Sequence, residues 1–529
     1  MAFERHARTV TLLTLVSRVA GLARDAALSR VFGVSPLMDA FWFAFAIPNL
    51  FRRLFGEGAL TAAFIPAYTE LTKNNPSVAK QLATLTVSIM MIVLGGVVLL
   101  TECVLLAVAE RTGGDNIAVW LTMIMLPYMP LVCVVAIMGA ILQVHGKFGP
   151  TAAAPIVLNL CIVIASVVGA KYFNHDDPKQ ELNHVATVAI SVLVAGVLQV
   201  LWSVWALRGT GWWTGGLKTT REAAPAFKRV MTQFLPMFLG LGVLQINTFL
   251  DDLIASYPTT VGPTIFGITF PLEEGALTAM NAAQRLHEFP LGVFGIAIAT
   301  AIFPALARVA DDGAAFGDIL RRGLRLVIYI GLPASVGLML VRVPLTAAVF
   351  QGGKFDADDT LRVSRILLGF APAIWAYSMT HTVTRAFFAK GDAITPVKVA
   401  VGVVMLNFLL NITLIWTPLK EAGLAWSTAT CAIIQTVILL KLSRRFVEGG
   451  RPVDDAVRSS WIKSVIVTAV MAAAVFAIQQ WAIPAHAITW RWAMIELAIL
   501  VPTGAAVVVV MSKALRMPEL GWAMGRTGK

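Results

Sequence analysis

Apolar residues run in long blocks along this chain, separated by short polar stretches rich in Arg and Lys. A helix needs about 20 mostly apolar residues to cross the hydrocarbon of a bilayer. Fourteen blocks reach roughly that length, at about 9–31, 37–68, 81–109, 116–144, 151–173, 185–207, 230–256, 275–307, 319–341, 362–389, 395–417, 423–443, 461–483 and 488–512. The second and eighth are long and contain Pro48 and Pro290, which predicts helices broken or tilted there. Val343–Phe350 is too short to span and is expected to lie in the interface. The pattern predicts an all-α polytopic membrane protein with fourteen transmembrane helices.

Composition supports this reading. Of 529 residues, 57% are apolar and 14% charged, against roughly 25% charged in a soluble globular chain. So little polar skin excludes an ordinary soluble enzyme, a disulfide scaffold and a disordered chain. Cys103, Cys133, Cys161 and Cys431 lie scattered in apolar runs without metal-ligand spacing, and are read as small buried hydrophobes. The net charge of +12 is explained by cytoplasmic loop bias rather than by nucleic acid.

Loop charge sets orientation. Arg208, Lys218, Arg221, Lys228 and Arg229 fall in one connection, Arg308, Arg321, Arg322 and Arg325 in a second, and Lys441, Arg444, Arg445, Arg451 and Arg458 in a third. All three share one side, together with Arg5, Arg8 and the C-terminal Lys513, Arg516, Arg526 and Lys529. The opposite side holds Asp251, Asp252, Glu273 and Glu274 in one loop. The positive-inside rule therefore places both termini in the cytoplasm. The first block contains Arg18 and Arg24, so it is expected to be a retained helix rather than a cleaved signal.

The chain also repeats itself. Phe55-Gly56, Thr61-Ala62, Phe64 and Pro66 are matched in order by Phe294-Gly295, Thr300-Ala301, Phe303 and Pro304. Gly146–Pro150 with Asn159 is matched by Gly391–Pro396 with Asn407. This predicts two pseudo-symmetric six-helix lobes, residues 1–215 and 216–445, and a C-terminal helix pair within 446–529. An even number of spans per lobe makes the repeats parallel.

Several ionisable residues sit inside spans, where each costs at least ~2.5–3.5 kcal/mol at mid-membrane. Arg18, Arg24 and Asp25 lie in the first, and Asp39, Arg52, Arg53 and Glu57 in the second. Arg285, His287 and Glu288 lie in the eighth. Helical spacing allows pairs Arg53–Glu57, Arg285–Glu288 and Arg18–Asp25, and leaves Arg24 and Arg52 without a helix-mate. Arg18 and Arg24 point about 120° apart on an ideal helix, so a bend at Gly21 is needed to aim both inward. Arg18, Arg24, Arg52 and Arg285 together predict a water-filled cationic cavity suited to phosphate, which guanidinium binds in bidentate fashion. His287 is read as packing before proton relay. Asp251-Asp252 and Glu273-Glu274 are read as solvated before cation-binding.

The stretches Ser17–Asp25, Asp39-Ala40-Phe41, Pro48–Ala59, Arg285–Val293, Phe350–Phe355 and Ala389–Lys398 closely resemble the MurJ family of lipid II flippases. The resemblance runs from about residue 9 to 445. It implies the fold of the multidrug/oligosaccharidyl-lipid/polysaccharide exporter superfamily, in the bacterial inner membrane. It implies outward movement of lipid II for cell-wall biogenesis, with Arg18, Arg24, Arg52 and Arg285 holding the pyrophosphate. Asp39, Asp25, Glu57 and Glu288 would belong to the gate and cavity, and the last two helices to a groove for the polyprenyl tail. Its partners would be lipid II, membrane lipids and cell-wall synthesis proteins. Some members bind sodium in the C-terminal lobe, but the eleventh span offers only Asn407 and Asn411, so no metal is expected. No P-loop is present, so ATP is not the direct energy source, and no cofactor or catalytic centre is expected. The alternatives are a carrier of another polyprenyl-pyrophosphate saccharide, a drug exporter of the same superfamily, a polyprenyl-phosphate enzyme using Asp251-Asp252 or Asp358-Asp359, and a cell-wall scaffold.

Overall fold

A computed structural model describes every residue except 1, 56–58, 112–113, 115, 215–219, 483–486 and 526–529, and within helices leaves out the side chains of 2–11, 59, 239–241, 243–244, 293–294, 296 and 482. Among the described residues nine helices are long and apolar enough to cross a membrane. The charged spans expected from the sequence fold as helices too, though they are less apolar.

The first compact unit covers Met1–Thr278. Its helices are α1 (Ala2–Phe32), α2 (Pro36–Phe55), α3 (Ala59–Asn74), α4 (Pro76–Arg111), α5 (Ile117–Met125), α6 (Tyr128–Val144), α7 (Gly149–Gly169), α8 (Pro178–Ala206) and α9 (Ala224–Thr260). A small hairpin follows, pairing β1 (Thr264–Ile265) with β2 (Ile268–Thr269). The core gathers Phe41, Phe64, Tyr68, Tyr128 and Ile137. Helix α1 packs on α7, and α9 packs on α2 and α3.

The second unit covers Ala279–Lys529. Across and beyond that boundary run α10 (Ala276–Pro290), α11 (Ala297–Arg308), α12 (Gly313–Phe350), α13 (Ala357–Phe370), α14 (Ala373–Ala389), α15 (Ile394–Leu414), α16 (Ala422–Leu442), α17 (Asp455–Ala477), α18 (Trp490–Ala514) and α19 (Pro518–Ala523). Helix α12 is the spine, touching α13, α14, α17 and α18. The short α19 is fixed by Glu519, buried against Arg325 (2.7 Å) and Ser460 (2.6 Å), while Trp522 lies under the guanidinium groups of Arg322 and Arg325.

Proline decides where helices break. At Pro290 α10 gives way to a wider π-helical turn, Leu291–Ile296, before α11 resumes. Proline has no N–H for the preceding turn, and a π-bulge is one way the backbone adjusts. Pro48, in contrast, sits inside α2, which continues through it, so the break expected there is absent. Two breaks fall where the hydropathy pattern reads as continuous. Helices α5 and α6 are parted at Leu126-Pro127, and α13 and α14 at Ala371-Pro372. Val343–Phe350 is the end of α12, not a separate interfacial segment. Of the cysteines, Cys133 and Cys431 are buried, whereas Cys103 faces outward from α4 and Cys161 is half-buried. An outward cysteine on an apolar helix face needs only lipid around it.

The second pair of matched motifs is alike in two respects. Gly146 and Gly391 each end a helix with a positive φ, 73° and 75°. Asn159 on α7 and Asn407 on α15 are both buried.

Close packing at Gly423 generates a test. A Cβ there would lie 2.9 Å from the Leu414 backbone on α15, whereas one at Gly96 meets nothing within 4 Å. We expect Gly423→Ala to cost about 1–3 kcal/mol through overpacking, read as a lower Tm of the detergent-purified protein. Gly96→Ala is expected to be neutral or stabilising by up to ~1 kcal/mol.

Candidate functional site

The first-unit arginines are reached by three different local arrangements. Helix α1 passes through Gly21 without interruption. The absent side chain makes room for α7: an added Cβ would stand 3.6 Å from Asn159 Nδ2, which itself reaches the Ser17 carbonyl at 3.4 Å. Gly21 is thus a contact position between α1 and α7. Arg18 is exposed and has no ion pair with Asp25. Asp25 instead accepts from its neighbour Arg24, Nε at 2.8 Å and Nη2 at 2.7 Å.

Arg24 is buried. Its guanidinium carbon lies 5.4 Å from the Trp42 ring centre and 5.7 Å from that of Phe45. A carboxylate on one side and two aromatic faces on the other satisfy a desolvated guanidinium electrostatically. Trp42 and Phe45 are site residues that sequence reading missed. Their signal was an aromatic pair three apart on the helix that follows the charged one.

Arg52 is half-buried and donates through Nε to Asn49 Oδ1 at 3.0 Å, one turn back on α2. Arg24 and Arg52 both lie within electrostatic range of the buried Tyr128 hydroxyl, a further residue not anticipated. Arg53 turns to Gln245 of α9 at 3.5 Å. Its expected partner Glu57 lies outside the described residues.

Asp39 is wholly buried. Its Oδ1 accepts from the Thr278 N–H and hydroxyl, both at 2.7 Å, and its Oδ2 from the Gly275 N–H at 2.7 Å and the Thr259 hydroxyl at 3.2 Å. The position before α10 would ordinarily carry an oxygen-bearing cap. Here it is Gly275, with φ of 85° and no side chain, and Asp39 supplies the carboxylate from α2. Backbone donors and the positive end of the helix together stabilise an anion there.

In the second unit Arg285 pairs with Glu288 at 3.3 Å, as spacing predicted. Both side chains are about 40% exposed, so the pair is solvated and contributes little to stability. His287 is buried and stacked on Phe370 at 5.4 Å, which is the packing role. Asn407, Asn411 and Ser427 are buried and hydrogen-bonded to one another. Asp251 and Asp252 lie within α9 and not in a loop. Asp358 and Asp359 sit in the first turn of α13, where the helix dipole favours acids. Among the described residues no group of three or more His, Cys, Asp or Glu is placed to hold a metal ion.

Residues 28–494 match the family model described as "Lipid II flippase MurJ". The chain belongs to the MurJ family. Among curated MurJ relatives, "Lipid II flippase MurJ" of Burkholderia cenocepacia is 32% identical over 83% of each chain. "Probable lipid II flippase MurJ" of Vibrio cholerae is 30% identical over 82% of this chain and 81% of its own. In fold, the chain is similar to a solved lipid II flippase MurJ in an inward closed conformation, with a TM-score of 0.75 and 22% identity, covering 96% of this chain and 99% of that one. It is also similar to an inward-facing multidrug resistance MATE family transporter of the MOP superfamily, with a TM-score of 0.65 and 13% identity over 85% and 99% of the two chains. With its apolar helices, MurJ membership makes this a multi-pass membrane protein. The MurJ match begins after Arg18 and Arg24 and includes Asp39, Arg52 and Arg285.

The Asp39 cap is directly testable. Asp39→Asn sets an amide donor against N–H and O–H donors, and we expect it to lower stability by about 1–3 kcal/mol. The Tm of the purified variant checks this, with exposed Asp311→Asn expected to melt like the wild type.

Proposed function

We propose that this protein flips lipid II from the inner to the outer leaflet of the bacterial cytoplasmic membrane by alternating access. The observation that carries this reading is Arg24: a guanidinium buried on α1 between Asp25 and the rings of Trp42 and Phe45, with both Arg24 and Arg52 within electrostatic range of Tyr128. A pyrophosphate headgroup cannot enter hydrocarbon bare. Arginines in a wet cavity replace its hydration with charge-assisted hydrogen bonds. MurJ membership supports lipid II as the headgroup's bearer.

In this mechanism Arg18, Arg24, Arg52 and Arg285 bind the pyrophosphate. Asp25 and Glu288 hold Arg24 and Arg285 in place until substrate competes for them. Asp39, with Glu57, belongs to the gate. The polyprenyl tail stays in the bilayer, along a groove formed by the last two helices.

The architecture we propose is fourteen spans in two pseudo-symmetric lobes, 1–215 and 216–445, and a C-terminal pair in 446–529, with both termini cytoplasmic. The prolines between α5 and α6 and between α13 and α14 support the repeat, since they occupy corresponding spans. One lobe then rocks against the other. An inside-negative potential favours outward passage of negative charge by about 2.3 kcal/mol per charge per 100 mV. Cell-wall synthesis proteins are the partners that would supply and consume such a substrate.

Cells depleted of their own flippase test the reading. Wild type should restore growth and make lipid II accessible at the outer surface. Arg18→Ala, Arg24→Ala, Arg52→Ala and Arg285→Ala should each fail while reaching wild-type levels in the membrane. Rescue by all four variants would refute the cationic cavity. Surface access that persists in depleted cells lacking any other flippase would refute lipid II as the substrate.

A further inference from the structure

The first unit contains a second polar feature within an apolar span, distant in sequence from the arginines. A cavity of about 790 Å³ opens between α4 and α5, lined by Gly95, Leu99, Glu102, Trp120, Pro127 and other largely apolar side chains. Neighbouring Leu99 and Leu100 are 70% and 69% exposed, so the α4 face beside it is a lipid-facing one. Glu102 Oε1 is enclosed, and among the described residues it has no hydrogen-bond partner. Among the described residues no basic side chain lines the cavity. Glu110, two turns further along α4, adds a second acid. Pro127 has no N–H to offer the Met123 carbonyl, so the wall is short of donors as well.

A carboxyl inside a membrane span with one enclosed oxygen left unpartnered is a functional position by default, because leaving that oxygen unsatisfied is costly. The cavity therefore lacks a donor, preferably a positive one, attached to an apolar body. Its volume suits a single small molecule. We propose that it binds an amphiphilic primary amine, with the ammonium on Glu102 and the apolar portion against Leu99 and Trp120. A free amine fits better than a phospholipid headgroup. By the ~1.5 Å rise per residue, Glu102 lies about 10 Å inside the end of the apolar stretch, below the level where headgroups ride. This site uses none of the arginines and stands apart from the flippase reading.

The test uses the full chain in phosphatidylcholine nanodiscs, titrated with a terminally brominated dodecylamine. The readout is quenching of Trp120, taken as the difference between wild type and Trp120→Phe. Quenching should saturate, weaken about tenfold or more in Glu102→Gln, and vanish in Gly95→Leu, whose side chain enters open space. The Gly95 variant leaves the carboxylate intact, so it tests the cavity even if Glu102→Gln fails to fold. Equal titration of wild type and Glu102→Gln, or equal quenching by the brominated alcohol, overturns the proposal. Loss of amine binding when phosphatidylethanolamine is added to the discs also overturns it and assigns the cavity to a lipid headgroup.

Discussion

A guanidinium in hydrocarbon must be paired, stacked or wetted, and the interior of the first unit is arranged around that requirement. Arg24 is held by Asp25 at 2.7–2.8 Å and walled by Trp42 and Phe45. The carboxylate comes from the adjacent residue, so acid and base are supplied by the same turn of α1. Burying even a paired charge costs stability, and the large apolar core of Phe41, Phe64 and Tyr128 in the same unit offsets it.

Backbone hydrogen bonding sets the second constraint. A membrane helix that loses an N–H must recover the bond locally or line a polar space. Pro290 is followed by a π-helical turn, and Pro127 and Pro372 by fresh helix starts. The interrupted spans flank or carry the charged positions, while uninterrupted α4, α15 and α18 present apolar side chains outward.

The helices were legible in the sequence because an apolar block of about 20 residues matches the thickness of the hydrocarbon and is longer than most buried core segments. Ends were less so: α12 extends to Phe350, since hydropathy cannot separate a helix leaving the membrane from a new segment. Pro48 and Pro127 look alike in sequence, yet α2 continues through one and the chain breaks at the other. The choice depends on packing around the turn, which periodicity does not encode. Arginine positions were legible, as charges in apolar runs. Of their partners, Glu288 beside Arg285 was legible from its spacing, and those of the first unit were not. Spacing rules on a helix surface pointed Arg18 to Asp25, whereas the guanidinium of Arg24 curls back on its neighbour. Asp39's donors lie on α9 and at the start of α10, contacts with no trace in local pattern.

That last contact has a consequence for biosynthesis. Asp39 accepts from Thr278, which follows it by 239 residues. At typical synthesis rates the donor emerges about 10 to 50 seconds after the acceptor. During that interval the start of α2 carries a carboxyl whose final partners do not yet exist. It must wait protonated or at the aqueous edge of the bilayer, so α2 takes its final depth only once the first turn of α10 has been made.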